Sequence, residues 1–294
     1  PLWLLHLFGA LLGWVAYAAS PPYRRRFKEH VRRAGVSPTD ARRAVSSAGR
    51  MVVEIPRLWL AQKSADEPLA VPIQWQGEAL VEAALAAGRG LLLLTPHLGC
   101  FEVTAQAFAQ RFGRRAPITV MYRPARQAWL RELQTRSRDR TGLSAVPASL
   151  AGVRQMVRAL RRGEAVGLLP DQVPPQGLGV WAEFFGRPAY TMTLASRLVA
   201  QTGASLLLIW GERLPAGMGY RIHVRAFDGA DEMASAPPEV SARLVNRAME
   251  AMVQDCPSQY LWGYDRFRQP RGAAADAPGG NGATVAAQTE RGGR

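Results

Sequence analysis

Apolar and polar positions alternate between two periods along this chain, and the alternation sets out its elements. Short apolar runs bounded by glycine or proline predict buried strands at Gly90–Thr95, Pro117–Met121, Ala165–Leu169 and Ser205–Trp210, with a further strand at Tyr220–Phe227. Between them, spacing of three to four predicts helices over Phe101–Arg111, Arg126–Arg138, Leu150–Arg161 and Thr193–Gln201, and a long amphipathic one over Glu239–Gln254. Thr193 suits an N-cap and Gly203 a C-cap. Strands alternating with helices predict an α/β domain, a mostly parallel central sheet flanked by helices.

The first segment breaks this pattern. Leu2 to Ala19 carries no formal charge and is rich in Leu, Ala, Gly and Trp. Its length is at the lower limit for spanning ~30 Å of hydrocarbon. Pro21-Pro22 and the basic cluster Arg24, Arg25, Arg26 and Lys28 follow. Positive charge after an apolar run is expected to hold that end in the cytoplasm. Two other readings compete: a buried or peripheral helix, and a signal peptide cleaved near Ala16-Tyr17-Ala18. The charge stands after the run rather than before it, which favours a retained N-terminal transmembrane anchor at 1–20. A basic juxtamembrane helical region follows at 21–60, suited to an anionic leaflet or to an ordinary solvated face. The α/β domain is expected at 61–271. The Gly-, Ala- and Pro-rich stretch 272–294 is expected to be a disordered tail.

Composition narrows the partners. The 294 residues carry a formal net charge of +14, with hydrophobic residues at 48%. So basic a chain favours anionic partners such as a membrane surface, phosphorylated lipid or nucleic acid. Its cations are nearly all Arg, so a codon bias accounts for the excess equally well. No nucleic-acid-binding module is visible, and the apolar segment argues against that class. A non-catalytic membrane scaffold is a further alternative. Two cysteines, Cys100 and Cys256, make neither a disulfide framework nor a zinc site. Cys100 is read as a small buried filler. No pair of histidines has metal-ligand spacing, so no metal is expected, and no glycine-rich nucleotide loop is present.

Chemistry in open α/β sheets gathers beyond the carboxyl ends of strands. The first buried strand ends in Thr95-Pro96-His97-Leu98-Gly99-Cys100-Phe101-Glu102. A continuous helix would leave His97 and Glu102 about 140° apart. Pro96 and Gly99 instead place His97 in the turn before a helix, from which Glu102 in the first helical turn can reach back. An imidazole backed by a carboxylate is a general base, with the carboxylate fixing the tautomer. The helix N-terminus is suited to stabilising an oxyanion. The spacing alone is common by chance, and a structural His at this place is the competing reading.

This octapeptide resembles the His-x4-Asp/Glu signature of glycerolipid acyltransferases, and its Glu form resembles the late lipid A acyltransferases, the lauroyl and myristoyl transferase family. Further blocks carry the resemblance in order: Tyr122-Arg123-Pro124, then Arg136-Ser137-Arg138-Asp139-Arg140, then Pro170-Asp171-Gln172. Phe184-Phe185-Gly186-Arg187-Pro188-Ala189 and the closing Gln259-Tyr260-Leu261-Trp262 with Arg266-Phe267 complete it. The resemblance implies His97 and Glu102 as catalytic dyad, with Arg138, then Arg140, and Asp171 functional in substrate binding. Arg123 is a further phosphate contact or a surface residue. A guanidinium suits phosphate; Asp171 suits orienting that Arg or a substrate hydroxyl, or capping a turn. Phe184 and Phe185 suit an acyl groove or core packing equally.

The resemblance further implies an inner-membrane enzyme, single-pass or monotopic, working at the cytoplasmic face without a cofactor. Acyl carrier protein supplies the acyl thioester. The acceptor is the 3-hydroxyl of an acyl chain on a phosphorylated, Kdo-bearing lipid A precursor. A related enzyme acting on a lysophospholipid or glycolipid is the nearest alternative. Acyl chain length and the acylated position are not legible.

Overall fold

The computed structural model describes residues 1–60, 69–122, 127 and 141–272. Three helices come first: α1 (Leu2–Ala19), α2 (Pro21–Arg33) and α3 (Pro38–Leu60). The α/β body follows as β1 (Ile73–Gln76), α4 (Glu78–Ala86), β2 (Leu91–Leu94), α5 (Phe101–Phe112), β3 (Ile118–Tyr122) and β4 (Leu143–Pro147). Then come α6 (Leu150–Arg161), β5 (Ala165–Leu168), β6 (Gly179–Phe184), β7 (Arg187–Met192) and α7 (Leu194–Thr202). The chain closes with β8 (Ser205–Arg213), β9 (Tyr220–Ala226), α8 (Ala230–Ser235) and α9 (Pro238–Asp255).

Seven strands form one sheet in the order β1-β9-β8-β2-β5-β3-β4, and β6 and β7 form a separate hairpin. Every neighbouring pair in the large sheet is parallel except β8 with β9. The mostly parallel α/β architecture read from the sequence is therefore present. All four leucines of β2 are buried because the sheet is covered on both faces. Successive side chains point to opposite faces. Leu92, Leu94, Val166 and Leu168 join one core with α6, α7 and α9, while Leu91, Leu93 and Ala165 join the other with α5.

All five expected strands form, within a residue or three at their ends. The helices expected around Phe101, Leu150, Thr193 and Glu239 also form. Gly203 ends α7 in the left-handed region at φ 67°, whereas the Thr193 side chain makes no capping hydrogen bond. The helix expected at 126–138, apart from residue 127, and nearly all of the expected tail lie outside the described residues.

The helices before the body dock on it. α1 lies along α3, where Gly9, Gly13 and Gly49 bring the two backbones together; a Cβ on Gly49 would stand 2.0 Å from the Gly9 carbonyl oxygen. Glu54 of α3 is fully buried and receives the Arg213 guanidinium at 2.6 Å through both Nε and Nη2. His6 lies 2.6 Å from the same carboxylate and the Tyr220 hydroxyl donates to it at 2.9 Å. Burial pushes the Glu54 carboxyl up, but Arg213 and His6 outweigh it and hold the group at about 2. Glu54 is thus an internal strut between helix and sheet.

Candidate active site

The site follows from register. β2 and β5 are parallel neighbours with Leu94 opposite Leu168. Three residues past each of these ends stand His97 and Asp171, so the two side chains meet at the carboxyl edge of the sheet. His97 Nδ1 lies 2.7 Å from Asp171 Oδ1, and the His97 backbone N–H donates to Oδ2 at 2.8 Å. Asp171 is 3% exposed. Burial pushes its carboxyl up, but His97, by charge and by both hydrogen bonds, holds it below the usual range. An ionised carboxylate accepts only, so Nδ1 carries the proton and Nε2 presents its lone pair. The Gln172 amide nitrogen lies 3.0 Å from that Nε2.

The turn carrying His97 is clamped from two sides. Cys100 N–H donates to the Gly211 carbonyl at 2.8 Å, and Gly99 N–H to the Gln259 carbonyl at 3.0 Å. Gly99 has φ 59°, and a Cβ there would stand 2.0 Å from the Gly211 oxygen, so only glycine fits this crossing. Leu261 N–H donates to the His97 carbonyl at 3.1 Å. The Gln259 side chain accepts from Arg213 N–H at 2.9 Å and donates to the Arg213 carbonyl at 3.0 Å. The closing block of the sequence is therefore the brace of the His97 turn. Val173 N–H donates to the Tyr264 hydroxyl at 2.9 Å and anchors the strand-end loop of Asp171. Arg266 is buried and donates to the Tyr190 carbonyl and the Thr191 hydroxyl, both at 2.7 Å. It lies over the Phe184 ring at 5.3 Å and its charge helps keep Asp171 ionised.

Beside the pair, an apolar cavity opens between the sheet and α5, holding about 610 Å³ of space that runs out into solvent. Leu93, Val120, Leu143, Gly167 and Ile209 line it, and Glu102 stands on its wall with Thr95 and Phe101. Glu102 belongs to the first turn of α5. Asp171 is thus a carboxylate that holds the ring of His97. Glu102 adds a polar group to the cavity next door. Gly167 sits in the middle of β5, and a Cβ on it would stand 3.2 Å from Val120 and 3.6 Å from Ile118. Among the candidate residues, Arg123, Arg138 and Arg140 lie outside the described residues. Phe184 is 2% exposed and packs in the core. Cys100 is also buried, and burial pushes its thiol well above the ordinary value, as an inert filler requires. Among the described residues no three His, Cys, Asp or Glu side chains are grouped to hold a metal ion.

Sequence reasoning missed three parts of this site: the His97–Asp171 pairing, the Gln172 contact and the space left by Gly167. A strand register would have supplied the first; a glycine interrupting an apolar strand was a signal for the third.

A strand-end imidazole fixed by a buried carboxylate, opening beside an apolar cavity, defines a class of α/β proteins equipped for acid–base chemistry on a substrate with a long apolar part. A family model for bacterial lipid A biosynthesis acyltransferases matches residues 40–269. The chain belongs to that family. It is 29% identical over 186 residues to the lipid A biosynthesis lauroyltransferase of Escherichia coli K12, covering 63% of this chain and 58% of that protein. It is 27% identical over 183 residues to the palmitoleoyltransferase of the same organism, covering 61% and 56%. It is 21% identical over 196 residues to the myristoyltransferase, covering 67% and 59%. The chain thus spans less than two thirds of the length of these relatives.

Proposed function

We propose that this protein is an acyltransferase. It moves a fatty acyl group from an acyl-carrier-protein thioester to the 3-hydroxyl of an acyl chain on a Kdo-bearing lipid A precursor, forming an acyloxyacyl ester. The observation that carries the reading is the His97–Asp171 pair, whose imidazole lies 4.8 Å from the Phe101 ring that lines the apolar cavity. Family membership and the names of the relatives support the reaction class and the acceptor.

In this reading the Nε2 lone pair of His97 removes the acceptor hydroxyl proton as the Gln172 amide gives way. The oxygen attacks the thioester carbonyl, and the tetrahedral intermediate collapses with cleavage of the C–S bond. The imidazolium returns its proton to the departing thiolate. Asp171 keeps the ring in the required tautomer and stabilises the imidazolium. Glu102, the acidic member of the His-x4-Glu signature, adds a second carboxylate to the same pocket. The N-terminus of α5 beside it favours the developing oxyanion. The cavity takes the acyl chain. Arg138, with Arg140 and Arg123, is assigned to acceptor phosphate by the resemblance of their blocks. In the same reading the enzyme works on the cytoplasmic side of the inner membrane, where the basic N-terminal region meets anionic lipid.

Mass spectrometry of lipid A from cells with and without the gene tests this, with His97→Ala as control. Loss of one secondary acyl chain in both mutants is expected. Unchanged lipid A, in cells with no second enzyme of the kind, overturns the acceptor. Transfer by the purified protein to a lysophospholipid or glycolipid instead would name the alternative substrate.

A further inference from the structure

The helix Leu2–Ala19 is long and apolar enough to cross a membrane by length and composition. Its contacts point elsewhere. One stripe, Leu2, His6, Gly9 and Gly13, is buried, while Leu4, Leu7, Phe8, Leu11 and Val15 are each half or more exposed. The stripe is docked along its whole length. At the first turn Leu2 packs in the core with Leu58 and Val71, and Gly217 abuts the Trp3 backbone. In the middle, Arg50 donates to the His6 carbonyl at 3.2 Å, and His6 meets Glu54. Further on, Trp14 donates to Ser46 at 3.0 Å. At the end Arg24 donates to the Tyr17 and Ala18 carbonyls at 3.3 and 3.0 Å. A helix crossing the bilayer in this attachment would draw Ser46, Arg50, the Glu54–Arg213 pair and the end of β8 into hydrocarbon with it. Burying such groups in lipid is costly.

We propose that α1 lies in the plane of the membrane, its Leu4–Val15 face sunk into one leaflet and its other face fixed to the enzyme, so that the body rests on an anionic bilayer surface. Charge complementarity supports the occupant: Arg25, Lys28 and Arg32 on α2 and Arg42 and Arg43 on α3 are exposed. This deepens the membrane reading above and fixes the orientation in which a lipid acceptor is offered to the site.

The test uses the full chain with Cys256→Ser, carrying a nitroxide label on a cysteine at Leu4, Leu11 or Val15 in turn. It is bound to vesicles of phosphatidylethanolamine and phosphatidylglycerol. Collision with oxygen and with a water-soluble nickel chelate gives each label's depth. In-plane α1 puts all three at about the same depth, roughly 5–10 Å below the headgroups. A depth that steps by about 16 Å from Leu4 to Val15 and passes the midplane overturns the proposal in favour of a spanning helix. Labels untouched by vesicles, or shielded only when the chain self-associates, overturn it too. Charge reversal to Glu at Arg25, Lys28 and Arg32 together is expected to weaken binding to these vesicles roughly a hundred-fold, and little to vesicles without phosphatidylglycerol. Acyl transfer in detergent, followed on the same preparations, reports on the reaction separately from the attachment.

Discussion

Asp171 holds His97 at two points at once: Oδ1 faces the ring Nδ1 at 2.7 Å and Oδ2 accepts the backbone N–H at 2.8 Å. One carboxylate therefore sets both the place of the turn and the tautomer of the ring. The two residues are 74 apart in sequence. They meet only because β2 and β5 are adjacent and in step.

Asp171→Asn keeps the size of the group and can keep one hydrogen bond to the His97 backbone, but its amide favours the wrong tautomer of the ring. The expected result is a kcat lower by roughly a thousand-fold with KM nearly unchanged. The thermal transition should fall by a few degrees at most if the backbone contact is kept. Steady-state kinetics beside circular dichroism melts would check both. Full activity in a folded Asp171→Asn protein would remove Asp171 from the mechanism.

How much of this was legible beforehand depends on distance along the chain. His97 stood out because a glycine-bounded leucine run must be a buried strand, and a strand end in an α/β sheet is where ligands bind. Asp171 did not, because it lies 74 residues on, past the end of another strand, and only pairing register brings the two together. β1 and β4 were missed because neither carries a continuous apolar run: Ile73–Gln76 alternates, and Leu143–Pro147 buries only Leu143 and Val146. The β6–β7 hairpin hid inside a motif; Phe185, at φ 45°, and Gly186, at φ 72°, make its turn, and a phenylalanine gives no signal for positive φ. The Glu54 network was not legible either, since nothing local to Glu54 or His6 announces Arg213 from the far end of β8.

Gly167 is expected to set the depth of the apolar cavity. Gly167→Val adds a branched side chain against Val120 and Ile118, both of which line the same space. If the acyl chain lies there, donor preference shifts to chains shorter by about two to four carbons. Discrimination on the order of 10-fold or more per methylene against the longer donors is expected. Competition among carrier-protein thioesters of graded length measures it. An unchanged length profile with the fold intact would put the acyl chain elsewhere.

At Gly49 the backbones of α3 and α1 approach closely. A Cβ there would stand 2.0 Å from the Gly9 oxygen and 2.4 Å from the Gly13 nitrogen. Gly49→Val must push the two helices apart, at a cost of about 1–3 kcal/mol. Amide hydrogen exchange should then accelerate through Leu2–Ala19 while β2 and β5 keep their protection. Exchange unaltered along α1 would mean that the docked arrangement is not the one populated in solution.

The Glu54–Arg213 pair makes stability depend on acid in a defined window. Glu54 is held at about 2, against 4.5 for a free carboxyl. A group with a lowered folded value binds its proton more readily in the unfolded chain, so its contribution is complete above about pH 4.5 and drains away as pH falls toward about 2. The size is about 3 kcal/mol. Glu54→Gln should flatten that part of the pH dependence. At pH 7 it should also destabilise the protein by roughly 3–5 kcal/mol, because Arg213 is left buried with its charge unmatched. Replacing both partners, Glu54→Met with Arg213→Met, removes the stranded charge and should recover much of the loss. Urea denaturation at pH 7, 4.5 and 3 separates the three proteins. Equal sensitivity to acid in wild type and Glu54→Gln would show that the strut between α3 and β8 contributes through packing alone, with its charges incidental.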